Sequence, residues 1–217
     1  MKRKIGKLCM ALGVLLILSA AGLLGYNRWD ASRAEKASQE VLGELEQTMQ
    51  QTITEYRQEP AAPLQPLLDP AQEMTTVEVE GEAYIGVLSI PAAGLELPVM
   101  AQWSYAGLKV APGRYSGTTY GDDLVLCGHN YAKHFSPIKW LSIGTPVYFT
   151  DAEGLRWSYE VDSVETLQPT QIEEMTTDTE MDTWDLTLFT CTAGGSARYA
   201  VRCIRTGYPV RTADTAK

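Results

Sequence analysis

The segment from Leu186 to Cys203, LTLFTCTAGGSARYAVRC, carries a cysteine and an arginine on either side of a glycine pair. Gly194-Gly195 between two β-like runs signals a two-residue hairpin, because such turns need positive φ. Pairing across that turn sets Cys191 against Arg198, Leu188 against Val201 and Leu186 against Cys203, with opposed Cβ atoms about 4.5–5.5 Å apart. Alternation sends Leu186, Leu188 and Thr190 to one face, together with Tyr199, Val201 and Cys203. That face is apolar and belongs to a core. Thr187, Phe189 and Cys191 take the open face with Arg198 and Arg202. A thiol acts as a nucleophile in its anionic form, and a neighbouring cation favours that form. An arginine can also donate to the oxyanion that develops when sulfur attacks a carbonyl. Arg202 opposes Thr187, one step deeper, and ranks second as the working arginine. By itself the hairpin does not distinguish this chemistry from an ordinary structural pairing.

A cysteine nucleophile also needs a proton carrier, and the chain holds two histidines, His129 and His134. His129 closes the run LVLCGHN, on the side of Val125 and Cys127, at a strand end where catalytic groups are often presented. His134 lies in YAKHFSP, which reads as a surface loop. His129 is therefore the candidate acid–base group. Cys127 and Cys203 read as small buried thiols, a redox partnership of Cys127 with Cys191 being the alternative.

The rest of the chain must position these groups. The formal net charge is −9, and Lys2, Arg3, Lys4 and Lys7 precede an apolar run from Leu8 to Tyr26 without a charge. The body beyond it is strongly acidic, which argues against nucleic acid as a partner. The run is close to the roughly 20 residues that span a bilayer, longer than the core of a cleaved signal peptide, and Tyr26 and Trp29 could mark the far interface. The basic cluster then puts the N-terminus in the cytoplasm and the body outside. Three cysteines remain outside the span, an odd number that favours a free thiol over a disulfide framework. Residues 30–58 read as a solvated helical stalk with an apolar stripe of Ala34, Val41, Leu45, Met49 and Tyr56; a dimerising coiled coil is weakly supported. EPAAPLQPLLDPAQ ends the helix and forms an extended spacer. The boundaries are 1–7 for the basic tail, 8–26 for the anchor, 27–71 for stalk and linker, and 72–217 for the β-rich body. Short strand-like runs there, punctuated by Gly, Pro, Asp and Asn, predict an antiparallel sandwich or closed barrel. Short helical turns are expected in SYAGLKVA and FSPIKWLS.

Thr187, Leu188, Phe189, Thr190 and Cys191 resemble the sortase nucleophile motif Thr-Leu-x-Thr-Cys, and Gly128, His129 and Asn130 resemble the family's histidine motif. Arg198 falls on the strand where sortases carry their arginine, and YIGVLSIPAAGLELPV (84–99) is similar to their opening strands. The resemblance covers roughly 75–210. It implies an eight-stranded β-barrel and a membrane-anchored cysteine transpeptidase. Cys191 would attack an LPXTG-like sorting signal, Arg198 would hold substrate and oxyanion, and His129 would shuttle the proton. Thr190 and Asn130 are the candidate substrate-binding residues. The implied partners are exported proteins with a C-terminal sorting signal and an amine acceptor, such as a peptidoglycan precursor or a pilin lysine. No metal or organic cofactor is required. The acidic stretch EEMTTDTEMDTWD (173–185) reads as a solvated loop, a calcium site being the alternative. The chain departs from the family in the short Cys–Arg connection. Competing readings are a non-catalytic anchored β-domain that binds wall peptides, or another thiol-dependent wall enzyme such as an L,D-transpeptidase, whose Ser-x-Gly-Cys-x-Arg pattern is absent from the sequence.

Overall fold

The structure, a computed structural model, describes residues 2–56, 69–176 and 183–211. Helix α1 spans Lys2–Tyr56. The strands are β1 (Val77–Val79), β2 (Glu82–Ile90), β3 (Leu95–Met100), β4 (Gly113–Ser116), β5 (Leu124–Gly128), β6 (Pro146–Asp151) and β7 (Leu155–Leu167). A short helix α2 (Ile172–Thr176) precedes β8 (Leu186–Cys191), β9 (Arg198–Arg205) and β10 (Val210–Arg211). The expected helical turns are 3-10 turns at Gly107–Lys109 and Ser136–Trp140.

Pairing runs β2–β3–β4–β5–β8–β9–β7–β6 and returns from β6 to β2, so eight strands close a barrel. Strand β1 adds to β2 as a hairpin arm, and β10 adds to the start of β7. Alternation fills the inside. In β7, Leu155, Trp157, Tyr159 and Val161 are buried while Arg156, Ser158 and Glu160 are not. They meet Leu124, Leu126, Phe149, Leu186, Leu188 and Val201 in one core. The sheet is not wholly antiparallel as predicted: β5 runs parallel to β8, and β3 to β4. The long excursion between β5 and β8, through β6, β7 and α2, returns the chain to the same end and permits the parallel pair.

Closure depends on β2, which carries β3 on one edge and β6 on the other. The β2–β3 register shifts between Tyr84 and Gly86, and Gly86 sits at φ 151°. A Cβ there would collide with the Thr150 carbonyl oxygen and lie 2.8 Å from the Asp151 Cα. Just after it, Asp151 turns β6 into β7 by accepting bonds from the Glu153 and Leu155 amides and the Trp157 indole at 3.0, 2.9 and 3.0 Å.

The outer face of β2 and β3 is also covered. Helix α1 lays Val41, Leu42, Leu45 and Met49 against Val79, Tyr84, Val87, Met100 and Ala111. The stripe read as that of a solvated stalk is thus, at Val41, Leu45 and Met49, a docking face for the barrel of its own chain, while the Tyr56 side chain lies outside the described residues. The unbroken apolar run of β2, buried from Tyr84 to Leu88, is the matching sign of a strand covered on both faces. The proline-rich residues 57–68 lie outside the described residues.

Gly86→Ala should destabilise the barrel by about 3 kcal/mol or more, at the severe end for one substitution, because the added methyl has no room beside β6. Denaturant unfolding of the detergent-solubilised chain, followed by tryptophan fluorescence, measures it. An unchanged midpoint would mean that β6 can retreat without opening the ring.

Candidate active site

Three strand ends meet at one place. Parallel pairing of β5 with β8 sets Cys127 beside Phe189 and Gly128 beside Thr190, so the next residues, His129 and Cys191, leave the two strands side by side. The Thr190 hydroxyl donates to the Gly128 carbonyl at 2.8 Å and ties those ends together. Antiparallel pairing of β8 with β9 sets Cys191 against Arg198, Thr187 against Arg202 and Leu186 against Cys203. This is the register read from the Gly-Gly turn, although the turn itself is longer than two residues. Strand pairing ends at Cys191 and Arg198, with one more cross-bond from the Thr192 amide to the Ala197 carbonyl at 3.0 Å. The Gly195 amide then donates to the Thr192 carbonyl at 2.9 Å, and the Ala197 amide to the Thr192 hydroxyl at 3.0 Å. Gly194 and Gly195 take φ 85° and 75°, where glycine carries no Cβ penalty.

These residues border a groove of about 220 Å³ whose apolar walls include Trp103, Tyr105, Tyr115, Ile172, Met175 and Phe189. Beneath it, Leu108, Val125, Cys127, Phe189 and Ala200 pack as a cluster outside the barrel core. Cys191 is a free, partly exposed thiol. Arg198 spends Nη1 on the Gly195 and Ala197 carbonyls at 3.1 and 3.0 Å. Its Nε and Nη2 have no acceptor among the described residues.

His129 is half-buried, and its pKa is lowered below the usual value by that burial and by Lys109, with Asp30 of α1 opposing. Its loop folds back at once. The Phe135 amide donates to the His129 carbonyl at 3.1 Å, and the Phe135 ring passes so close that a Cβ on Gly128 would sit 2.6 Å from it. Gly128 in the GHN motif is therefore needed for close approach. His134, expected on the surface, is fully buried, because the loop tucks under α1. Burial pulls its pKa down to about 4, opposed by the Ala34 backbone.

The remaining sequence candidates separate. Thr190 is buried, and its hydroxyl is committed to Gly128. Asn130 does not border the groove; its Oδ1 is buried with no partner among the described residues. Cys127 lies under the groove with its thiol donating to the Gly113 carbonyl at 3.5 Å, and burial pushes its pKa up to about 12. Burial also pushes up Cys203. Of the acidic stretch, Glu173 and Glu174 lie on α2, while 177–182 fall outside the described residues. Among the described residues no group of three or more His, Cys, Asp or Glu side chains is arranged to hold a metal.

Arg202 shares the Cys191 face yet is 1% exposed. Its Nη1 donates to the Thr187 hydroxyl at 2.9 Å and the Met175 carbonyl at 3.1 Å, Nη2 donates to the Glu174 carbonyl, and Nε to Glu165 at 3.3 Å. Its guanidinium lies 3.9 Å from the centroid of the Trp184 ring. Arg202 thus pins the last turn of α2, one wall of the groove, onto the cysteine strand. The hairpin register sets Arg202 opposite Thr187, but no signal in the sequence points to its other partners, Glu165, Trp184 and the end of α2, which nothing local marks.

The closed eight-stranded barrel thus brings a cysteine, a histidine and an arginine to adjoining strand ends. A family model described as "Sortase domain" matches residues 88–210. The chain belongs to the sortase family of cysteine transpeptidases. It is 28% identical over 196 residues to Sortase A of Bacillus anthracis, covering 87% of this chain and 90% of that one. Sortase C1 of Streptococcus suis superposes with a TM-score of 0.50 at 32% identity, over 58% of this chain and 74% of that chain. Sortase C of Streptococcus pneumoniae, whose structure was described in terms of pilin substrate specificity, superposes with a TM-score of 0.52 at 24% identity, over 77% and 91%.

Two outcomes follow from the buried groups. Arg202→Ala should lower stability by about 3 kcal/mol through lost charge-assisted bonds, while iodoacetamide still alkylates Cys191 in the folded fraction; loss of alkylation without loss of stability would give Arg202 a direct role at the thiol. Between pH 6.5 and about 4 the unfolded chain takes up a proton at His134 that the folded ring refuses. Stability from this group is thus lost as pH falls through that window. His134→Gln should flatten the slope of unfolding free energy against pH, measured by denaturant titrations at several pH values. An unchanged slope would mean that the ring accepts its proton in the fold.

Proposed function

We propose that this sortase is a membrane-anchored transpeptidase that cleaves an LPXTG-like sorting signal and joins the cut protein to an amine. The observation that carries the reading is the convergence of Cys191, His129 and Arg198 on one groove through the β5–β8 and β8–β9 registers. The groove is open and mostly apolar, which suits an extended peptide with few charges.

The reaction runs in two halves. Cys191 Sγ attacks the carbonyl carbon of the scissile peptide while its proton passes to His129. Unengaged Arg198 donors hold the substrate and the oxyanion that forms. Collapse breaks the C–N bond, and His129 returns the proton to the leaving amine. A thioacyl enzyme remains. An incoming amine gives up a proton to His129, attacks the thioester carbon and releases Cys191. The chemistry needs no metal or organic cofactor. A lowered histidine pKa suits this part, since the neutral ring can accept the thiol proton near neutral pH. Thr190 serves the site by holding β5 and β8 together.

The acceptor is a peptidoglycan precursor or a pilin lysine, and the donors are exported proteins with a C-terminal sorting signal. Helix α1 is long and apolar enough to cross a membrane. With Lys2, Arg3, Lys4 and Lys7 on the cytoplasmic side, the barrel stands outside the cell.

Single-turnover acylation by a sorting-signal peptide, read by mass spectrometry, tests the assignment. Cys191→Ala should give no adduct, and His129→Ala should lose nearly all of the rate. Arg198→Ala should lose on the order of 10²–10³-fold, as when one oxyanion donor is removed. Arg198→Lys should stay poor, because a point charge does not replace a planar fork. Peptide binding that never leads to an adduct in the wild type would favour a non-catalytic wall-binding domain. Normal acylation by Arg198→Ala would remove the arginine from the chemistry.

A further inference from the structure

Strands β3 and β4 pair at a single rung, Met100 with Gly113. Beyond it the chain leaves β3 as a loop. A cleft of about 260 Å³ opens between that loop and β4, bordered by Ala101, Gln102, Trp103, Arg114, Tyr115 and Ser116. Trp103 and Tyr115 also wall the catalytic groove, and their rings stack with centroids 5.8 Å apart. Cleft and groove therefore share an aromatic wall. The cleft also holds a cation. Arg114, its side chain 19% exposed, donates from Nε to the Ala101 carbonyl at 2.9 Å and from Nη1 to the Gly117 carbonyl at 3.4 Å. Its Nη2 has no acceptor among the described residues. Ser116 Oγ is buried, likewise with no partner among the described residues. One acid of the chain approaches the arginine. Glu73, 87% exposed, holds its carboxylate 3.7 Å from Nη1, within ion-pair range but beyond hydrogen-bond length.

We propose, resting on the transpeptidase reading, that this cleft is a subsite for a carboxylate side chain of the donor protein, carried just before its sorting signal. The Leu and Pro of an LPXTG-like signal precede the cleaved bond, and they suit the apolar walls that run from Cys191 to the aromatic pair. Residues before them then arrive at Trp103 and Tyr115, where a side chain can turn past the rings into the cleft. The cleft's chemistry selects an acid. A guanidinium presents its donors as a planar fork that matches a carboxylate. Two main-chain carbonyls already hold Arg114, so little side-chain freedom is lost when a ligand binds. Nη2 and the Ser116 hydroxyl are the donors left for it. Glu73 marks the approach of a carboxylate from solvent, and an exposed pair of this kind is weak enough to be displaced. A lysine at the same place would meet a like charge. The chain's formal net charge of −9 disfavours acidic peptides in general, so a preference for one acid at one position has to come from a local cation.

The test uses the full-length chain in detergent and single-turnover acylation of Cys191. Peptides with an LPXTG-type motif carry Glu, Gln or Lys in turn at each of the four positions before it. The readout is the ratio of acylation rate constants, Glu peptide over Gln peptide, within one protein, so that differences in folded fraction cancel. The wild type should favour Glu by about tenfold at one position or two adjacent ones, and should disfavour Lys there. Arg114→Gln should bring the ratio close to one. Arg114→Glu should reverse the order and favour Lys, a change that an arginine with a purely structural role would not give. No preference for Glu at any position, an equal preference at all four, or a preference that survives both substitutions overturns the proposal. A second arm separates donor from acceptor. With the thioacyl enzyme formed from the neutral peptide, amines with and without a carboxylate should be used in the same ratio by the wild type and by Arg114→Gln. A discrimination among amines that Arg114→Gln removes would assign the cleft to the acceptor and overturn the assignment to the donor. No acylation of the wild type by any peptide would instead reject the transpeptidase reading.

Discussion

The register of β8 against its two neighbours is the constraint on which the site depends. Side chains alternate along a strand, so a slip by one residue would send Cys191 to the core and Leu188 to the groove. What prevents the slip lies on the opposite face. Leu186 and Leu188 pack with Leu124 and Leu126 of β5 and Val201 of β9, all buried. Full burial of one such side chain stabilises by about 1.5–3 kcal/mol, so a slip would forfeit several of these contributions together. Cys191, His129 and Arg198 therefore owe their positions mainly to aliphatic residues buried inside the barrel. The Thr190 hydroxyl bond to Gly128 adds a polar lock at the last rung before the thiol.

The excursion between β5 and β8 builds most of what surrounds those three groups. It begins with the histidine loop, closes the barrel through β6 and β7, and ends in α2, which walls the groove. Its two ends are tied back to the site. Phe135 fills the space that Gly128 leaves open, and Arg202 gathers the end of α2, Thr187 and Glu165. Helix α1 closes the loop from outside, through Asp30 on Tyr131 and the burial of His134. His129 thus stands on a loop clamped on one side by the barrel core and on the other by α1, whose apolar stretch is long enough to cross a membrane.

Charge is distributed to match. The chain carries a formal net charge of −9, yet the groove is bordered by Arg198, and Lys109 acts on His129. Asp30 is the acid that acts on His129 from outside the barrel, and its own pKa is lowered by the Tyr131 hydroxyl. Elsewhere acids are used structurally, as where Asp122 pairs with Arg205 at 2.6 Å. The site is a locally basic notch in an acidic body.

Much of this was legible in the sequence because it follows from short-range rules. A period of two and a glycine pair determine which residues oppose each other in β8 and β9, whatever the rest of the chain does. An apolar run without charge marks a helix able to cross a membrane by the same local logic. The three-part resemblance in 128–130, 187–191 and 198 carried the family. Tertiary structure decided what depends on partners distant in sequence. The parallel pairing of β5 with β8 needs the whole crossover to be in place. The apolar stripe of α1 looked like that of a solvated stalk because its partner is a sheet face that exists only once β1–β3 have formed. His134 looked like a surface residue because the helix that covers it lies some hundred positions away, and Arg202 looked like a second candidate for the working arginine because, Thr187 apart, its partners in β7 and α2 converge on it only in the folded barrel. Periodicity is written in neighbouring residues, and burial is not: it is set by whichever surface arrives from elsewhere in the chain.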